Sequence, residues 1–261
     1  MCCSSDHKWS RKKITEIDSL ESYWLESKEY IELRNRMATK NSIVDIPECY
    51  NCHKLVDGLR TEQASYKDFD IKSPLSIKYL EVTFSNICNQ SCVMCSPYFS
   101  TKLVKLHKQT GYMGAEKAAL WTLSDESIGK IMDVLPGLEV IQIKGGEPFA
   151  DRNNLRILER LLLVNPECKV IIITNGTSFS KEFIKVFQGM KNVTISLSID
   201  GTDDVYKWVR GTDFNNTIES VNMFYEETGH RFHVQTAITA YTLSSTIDIH
   251  SQLSPLDSIR A

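Results

Sequence analysis

Three cysteines near the middle of the chain have a spacing that suits metal binding. They form the segment Cys88-Asn-Gln-Ser-Cys92-Val-Met-Cys95. Soft thiolate ligands select zinc or iron–sulfur clusters. A structural zinc site normally has four ligands, and no fourth Cys or His is close by in sequence. Three thiolates with an open position therefore indicate a centre that a small molecule completes. The alternatives are a zinc site with a distant fourth ligand, and buried cysteines that bind nothing.

Three further polar motifs follow later hydrophobic runs. They are Gly145-Gly146-Glu147-Pro148, Thr174-Asn175-Gly176-Thr177 and Ser198-Ile199-Asp200-Gly201, with Arg210 twelve residues after Ser198. Paired glycines let a ligand approach the backbone closely, and a neighbouring carboxylate suits an ammonium group. Each motif also has a plain structural reading, because Gly-Gly and Asn-Gly are common in turns. Asp200 could instead cap a helix that begins near 202, and Arg210 could form a surface salt bridge.

The elements that must position these motifs alternate between strand and helix patterns. Apolar or β-branched runs predict strands at 79–84, 138–143, 169–174, 193–199 and 232–238. Helical patterns lie at about 101–109, 124–134, 151–164, 179–188, 202–208 and 213–228. Repeated βα units imply a parallel sheet, whose ligands bind at the carboxyl ends of the strands. Every motif above lies at such an end.

The predicted fold class is α/β, a TIM-like (β/α) barrel of parallel strands that is only partial. Five strands do not close a barrel, and the chain ends soon after the fifth, so we expect an open barrel or a truncated chain lacking its last strand. We assign residues 73–261 to this core, with a junction at the Ser-Pro pair 73–74. We expect residues 1–72 to form a small, mainly helical segment with cysteines. A helix is expected near 19–38, where Tyr23, Tyr30, Leu33 and Met37 form an apolar stripe.

Composition excludes several classes of function. The 261 residues carry a formal net charge of −3, which gives no electrostatic case for a nucleic acid or an anionic membrane as partner. No stretch is long and apolar enough to span a bilayer or to act as a signal peptide, so we expect a cytoplasmic protein. Clustered cysteines in a reducing compartment indicate metal ligands before disulfides.

The cysteine segment, with its position after the first strand, resembles the hallmark of the radical S-adenosylmethionine (SAM) superfamily. The resemblance covers about residues 76–240 and includes the Gly-Gly-Glu, Thr-Asn-Gly and Ser-Ile-Asp-Gly…Arg motifs. It implies that Cys88, Cys92 and Cys95 hold a [4Fe–4S] cluster whose fourth iron is chelated by SAM. The implied SAM contacts are Met94 near the adenine, Gly145, Gly146 and Glu147 at the amino group, Asn175, Ser198, Asp200 and Arg210.

The N-terminal segment resembles part of the SPASM/twitch module of peptide-modifying radical SAM enzymes. The similar stretch runs from Trp24 to the pair Cys49-x2-Cys52, before the barrel and not after it. The resemblance implies an auxiliary iron–sulfur cluster, with Cys2, Cys3, Cys49 and Cys52 as candidate ligands and His53 or Cys168 as an additional one. Zinc, or a remnant that binds no metal, are the alternatives.

The resemblance implies reductive cleavage of SAM and hydrogen abstraction from a substrate, which we expect to be a peptide. A small-molecule enzyme is the first alternative, similar to 7-carboxy-7-deazaguanine synthase or to a radical-activating protein. A degenerate iron–sulfur or zinc protein that binds a partner is the second. An electron donor such as flavodoxin or ferredoxin is the implied partner. No acid or base acting on substrate is identified; Lys144, Tyr98 and His233 are candidates that structural roles would explain equally well.

Overall fold

A computed structural model describes residues 12–39, 76–111 and 119–253 of the chain. The chain divides into two units, residues 1–77 and 78–261, which are described separately.

Within residues 12–39 of the first unit, two helices lie where the sequence pattern predicted one. Helix α1 spans Leu20–Glu26 and α2 spans Lys28–Thr39. The prediction of a single helix near 19–38 is wrong because Ser27 adopts an extended backbone between them. Its hydroxyl accepts the N–H of Tyr30 at 3.4 Å, and Arg34 donates to the final carbonyls of α1. Tyr30 of the predicted apolar stripe is buried, and its ring contacts Tyr23 edge-on at 5.4 Å.

The second unit is built on one parallel five-stranded sheet. Its strands are β1 (Tyr79–Val82), β2 (Val140–Ile143), β3 (Lys169–Thr174), β4 (Val193–Ser198) and β5 (Phe232–Gln235). They pair in sequence order, with Val82 opposite Ile143 and Ser198 opposite Gln235. The sheet is not closed, since β1 and β5 are both edge strands. The predicted partial α/β barrel is therefore confirmed.

Helices connect the strands, as right-handed βα crossovers require. They are α3 (Thr101–Thr110), α4 (Asp125–Val134), α5 (Arg152–Val164), α6 (Lys181–Gln188), α7 (Asp203–Arg210), α8 (Phe214–Thr228) and α9 (Thr246–Leu253). Most begin at a Ser or Asp whose side chain accepts a hydrogen bond from the first turn, as Ser124 does for α4. None of the helices in the described part of the chain is long and apolar enough to span a membrane.

The core lies between the sheet and the helices that cover one of its faces. Alternate strand residues are buried, such as Ile141 and Ile143 of β2 and Ile172 of β3, while their neighbours are half-buried. This period of two places the apolar set on a single face. Because all five strands run the same way, their carboxyl ends share one edge, to which the sequence motifs are attached.

Candidate active site

The cysteine segment lies in the loop that joins β1 to α3. Cys92 is buried, Cys88 is half-buried and Cys95 is exposed, and all three are free thiols. The N–H of Cys88 donates to the Thr101 hydroxyl at 3.2 Å, which in turn donates to the Cys88 carbonyl at 3.1 Å. The Ser100 hydroxyl, the N-cap of α3, donates to the Gln90 carbonyl at 2.6 Å. The start of α3 therefore fixes the conformation of the loop.

Burial disfavours ionisation of all three thiols, and neighbouring thiolates add to this for Cys88 and Cys95. Burial raises the pKa of Cys88 to about 11, and the charges of Cys92 and Cys95 add to the rise. Burial also raises the pKa of Cys92, which the nearby Arg210 guanidinium opposes, and the pKa of Cys95. The three sulfurs are thus close enough to interact electrostatically. A metal centre would remove this penalty because it binds the thiolate form.

This donor set fits an iron–sulfur cluster. Across residues 12–39, 76–111 and 119–253, no three Cys, His, Asp or Glu side chains are arranged to hold one metal ion. In a [4Fe–4S] cluster each thiolate binds a separate iron, so the sulfurs need no common point. The three thiols, which lie in one loop at the carboxyl edge of the parallel sheet, can each supply a ligand to a separate iron. Cys88, Cys92 and Cys95 are the residues that would hold the cluster.

The two glycines after β2 let their loop press against the cysteine loop. Gly145 has a φ of +133°, and a Cβ on it would overlap the Thr83 side chain. A Cβ on Gly146 would overlap the carbonyl of Ile87, the residue before Cys88. The N–H of Glu147 donates to that same carbonyl at 2.7 Å. The two glycines therefore allow the loop after β2 to pack closely against the chain around β1 and the cysteine loop.

Glu147 is a buried carboxylate that ties the end of β2 to the end of β3. Its side chain is buried, with 3% of the residue exposed. Burial raises the pKa of Glu147, although the hydrogen bonds that its carboxylate accepts act in the opposite direction. Its Oε1 accepts the Thr174 hydroxyl at 2.6 Å and the Phe149 N–H at 3.1 Å. Its Oε2 accepts the Asn175 N–H at 2.7 Å. A carboxylate offers about four acceptor sites, so these three donors leave room for one more.

Asn175, at the end of β3, faces the cysteine loop. Its Nδ2 donates to the side-chain oxygen of Asn89 at 2.9 Å and lies 4.0 Å from the Cys88 sulfur. Asn89 in turn donates to the Thr177 hydroxyl at 2.8 Å. Sequence reasoning did not select Asn89, and its position beside Cys88 was the one signal that could have marked it.

Asp200 and Arg210 form a buried ion pair beside Cys92. The Arg210 Nη2 lies 2.5 Å from Asp200 Oδ2, and Arg210 Nη1 donates to the Cys92 sulfur at 3.7 Å. Burial opposes the charge of Arg210, but Asp200 and Cys92 outweigh it and raise the pKa of Arg210. Asp200 Oδ1 accepts the N–H of Ala237 at 2.6 Å. Thr202 is the N-cap of α7, so the capping alternative for Asp200 is wrong, and the Arg210 ion pair is buried and not on the surface.

The other predicted residues are spread around this edge. Ser198 ends β4, and Met94 is exposed in the cysteine loop. Lys144 forms an ion pair with Glu81 at 2.5 Å, and Tyr98 and His233 are exposed. Cys168 precedes β3, at the edge of the sheet opposite Cys88, and it is buried. Cys2, Cys3, Cys49, Cys52 and His53 lie outside the described residues.

The sequence pattern of the Radical SAM superfamily matches residues 82–244, more than half of the chain. Curated relatives include a GTP 3′,8-cyclase of Petrotoga mobilis, 27% identical over 154 residues that cover 58% of this chain and 44% of the relative. A GTP 3′,8-cyclase of Thermodesulfovibrio yellowstonii is 29% identical over 128 residues, covering 47% of this chain and 35% of the relative. The chain thus spans less than half the length of these relatives.

Solved structures with a similar fold include anSMEcpe with bound AdoMet. It matches at a TM-score of 0.51 and 16% identity, over 69% of this chain and 49% of that chain. At this identity the likeness shows the fold alone. SuiB of Streptococcus suis bound to the precursor peptide SuiA matches at a TM-score of 0.46 and 19% identity, over 89% of this chain and 50% of that chain. That similarity is too low to support a shared function.

Proposed function

Because the chain belongs to the radical SAM superfamily, we propose that it is an enzyme that cleaves SAM reductively with a [4Fe–4S] cluster held by Cys88, Cys92 and Cys95. The superfamily uses this cluster to supply one electron to SAM, which yields a radical that takes a hydrogen atom from the substrate. The observation that carries the proposal is the set of three interacting free thiols at the carboxyl edge of the sheet.

The residues of this chain bind and orient SAM around that edge. Glu147 has one acceptor position left for the ammonium group, next to the half-buried backbone of Gly145 and Gly146. The cysteine segment and the loops around it supply the other contacts. We propose Met94, Asn175, Ser198, Asp200 and Arg210 for these. The proposal is supported by the contacts of Asn175 and Arg210 with the cysteine loop.

The proposed substrate is a peptide. Support comes from the Ser-Ile-Asp-Gly…Arg pattern at Ser198–Arg210 and from the N-terminal segment that resembles a SPASM/twitch module. We retain residues 1–72 as that module, with Cys2, Cys3, Cys49 and Cys52 as candidate ligands of an auxiliary cluster, and 73–261 as the catalytic core. A nucleotide is the second candidate substrate, because the curated relatives described above are GTP 3′,8-cyclases that align with 47–58% of this chain.

The reductant of the cluster is proposed to be a small acidic electron carrier of the flavodoxin or ferredoxin kind. Helix α3 begins at the cysteine loop and carries Lys102, Lys105 and Lys108, all exposed. No acidic residue occurs between Ile87 and Gly111. In the described part of the chain these lysines form no ion pair, so their charge is available to a partner of opposite sign.

Anaerobic reconstitution with iron and sulfide tests the proposal directly. We expect about four irons per chain for the core cluster, about eight with an auxiliary cluster, and 5′-deoxyadenosine on addition of dithionite and SAM. Zinc without 5′-deoxyadenosine would indicate the partner-binding alternative. Deuterium transfer from labelled GTP or from a labelled candidate peptide into 5′-deoxyadenosine then separates the two substrate classes.

A further inference from the structure

The guanidinium of Arg210 is held rigidly against the cysteine loop. The N–H of Val93 donates to the Val209 carbonyl at 2.9 Å, which joins the end of α7 to the residue after Cys92. Gly211, which follows Arg210, has a φ of +72°, and a Cβ there would overlap the Ser91 hydroxyl. Backbone contacts on both sides of Arg210 therefore fix its position beside Cys92.

Asp200 orients this guanidinium from the other side. Its carboxylate is 1% exposed and is anchored by the N–H of Ala237, while its second oxygen faces Arg210 Nη2 at 2.5 Å. The other terminal nitrogen, Nη1, donates to the Cys92 sulfur at 3.7 Å. The buried Arg210 Nε has no hydrogen-bond partner in the described part of the chain. Arg210 thus contacts both Cys92 and a buried carboxylate.

We propose that Arg210, positioned by Asp200, raises the reduction potential of the cluster by acting on the Cys92 thiolate. The inference rests on the proposed function, since it requires a cluster at Cys92. Adding an electron makes the cluster and its thiolates more negative. A guanidinium that donates to a ligand sulfur stabilises that reduced state, and hydrogen bonds to sulfur and local net charge are established determinants of cluster potential. Asp200 lies beyond Arg210 and offsets part of the effect.

This role differs from contact with SAM, because it operates when SAM is absent. It also predicts opposite effects from the two partners. Arg210→Gln removes the cation and leaves the Asp200 charge near the cluster, so the potential should fall. Asp200→Asn keeps an oxygen for the Ala237 N–H but frees Arg210 from its counter-charge, so the potential should rise. Arg210→Lys keeps the positive charge but loses the planar, fixed N–H donors of the guanidinium. Its cluster potential should therefore lie between those of wild type and Arg210→Gln.

The test is an anaerobic redox titration of the reconstituted protein without SAM, followed by electron paramagnetic resonance of the reduced cluster. For Arg210→Gln we expect the equilibrium constant for one-electron reduction to fall about tenfold, which corresponds to about 59 mV. Lys207→Gln is the matched control, since it removes an exposed charge from the same helix and should leave the potential unchanged. Arg210→Gln combined with Asp200→Asn should lie closer to wild type than Arg210→Gln alone.

Two results would overturn the inference. One is an Arg210→Gln shift no larger than that of Lys207→Gln, with only SAM affinity reduced. The other is a shift of the same sign in Arg210→Gln and Asp200→Asn. If Arg210→Gln does not fold, Asp200→Asn and the double variant decide, because the double variant leaves neither charge of the pair unpaired. Failure of the proposed function would look different, because the wild-type chain would then take up no iron–sulfur cluster at all. That result would overturn both the proposed function and this inference.

Discussion

The carboxylate of Glu147 accepts the backbone N–H of Asn175 at 2.7 Å, and this contact joins the motif after β2 to the motif after β3. Asn175 then reaches the cysteine loop through Asn89. Three segments that are far apart in sequence therefore meet at one carboxyl edge of the sheet. A change in any one of them is expected to disturb the other two.

Removal of a single cysteine of the core motif should abolish cluster binding. We expect Cys88→Ala, Cys92→Ala and Cys95→Ala each to lose the iron and the production of 5′-deoxyadenosine, because two thiolates do not hold the cluster. Iron and sulfide analysis with a 5′-deoxyadenosine assay measures both. Cys168→Ala is the control, since this thiol lies at the opposite edge of the sheet. Full activity in a Cys92→Ala variant would contradict the assignment.

Variants of the Glu147–Thr174 contact should separate stability from SAM binding. Glu147→Gln and Thr174→Val each remove a hydrogen bond from a buried group, so each should lower the free energy of unfolding by about 1–3 kcal/mol in urea titrations. Only Glu147→Gln also removes the charge that we propose to face the SAM ammonium. SAM affinity, measured by calorimetry on the reconstituted protein, should therefore fall much further in Glu147→Gln. An equal loss in both variants would show that Glu147 serves only the fold.

Two glycines should respond to alanine in opposite directions. Gly146→Ala places a methyl group against the Ile87 carbonyl, so we expect a loss of about 1–3 kcal/mol in unfolding free energy and weaker cluster uptake. Gly129 lies within α4, and apart from its chain neighbours and the helix's own backbone no atom of the described residues lies within 4 Å of the position that a Cβ would occupy there. Gly129→Ala should therefore stabilise the chain by about 1 kcal/mol. Urea denaturation of the two variants tests whether the loop after β2 packs closely against the cysteine loop. Equal unfolding free energies for the two variants would contradict this packing.

Charge reversal on α3 should slow reduction by a protein donor alone. We expect the triple variant Lys102→Glu, Lys105→Glu and Lys108→Glu to reduce the rate with an acidic flavodoxin at least about tenfold at low salt. The rate with dithionite should not change, because this small reductant needs no docking surface.

A triple variant with the same change of charge elsewhere is the control for this experiment. Lys181, Lys185 and Lys191 are exposed and lie on or just after α6, so their reversal to Glu should leave the flavodoxin rate close to wild type. Equal rates for the two triple variants would place the docking site away from α3.

Much of the fold follows from the sequence because its signals are local. The strand at 169–174 is matched residue for residue by β3, since an apolar β-branched run of that length has few other solutions in a parallel sheet. The prediction of one continuous helix near 19–38 was wrong at Ser27. There the serine hydroxyl accepts the N–H of Tyr30 in the first turn of α2, and this local hydrogen bond competes with continuation of α1. Nothing in the spacing of the apolar stripe carried that information.

The parallel α/β architecture, the superfamily and the order of motifs along the strand ends could all be read from the residues alone. These properties depend on the period of hydrophobic residues and on short spacings such as Cys88 to Cys95. The folded chain was needed to show which side chains meet. Arg210 contacts Cys92 across 118 residues, and Asp200 binds the N–H of Ala237 across 37. Such partners are selected by the packing of loops at one edge of the sheet, because a buried charge or hydrogen-bonding group must find whatever donor or acceptor the fold brings to it.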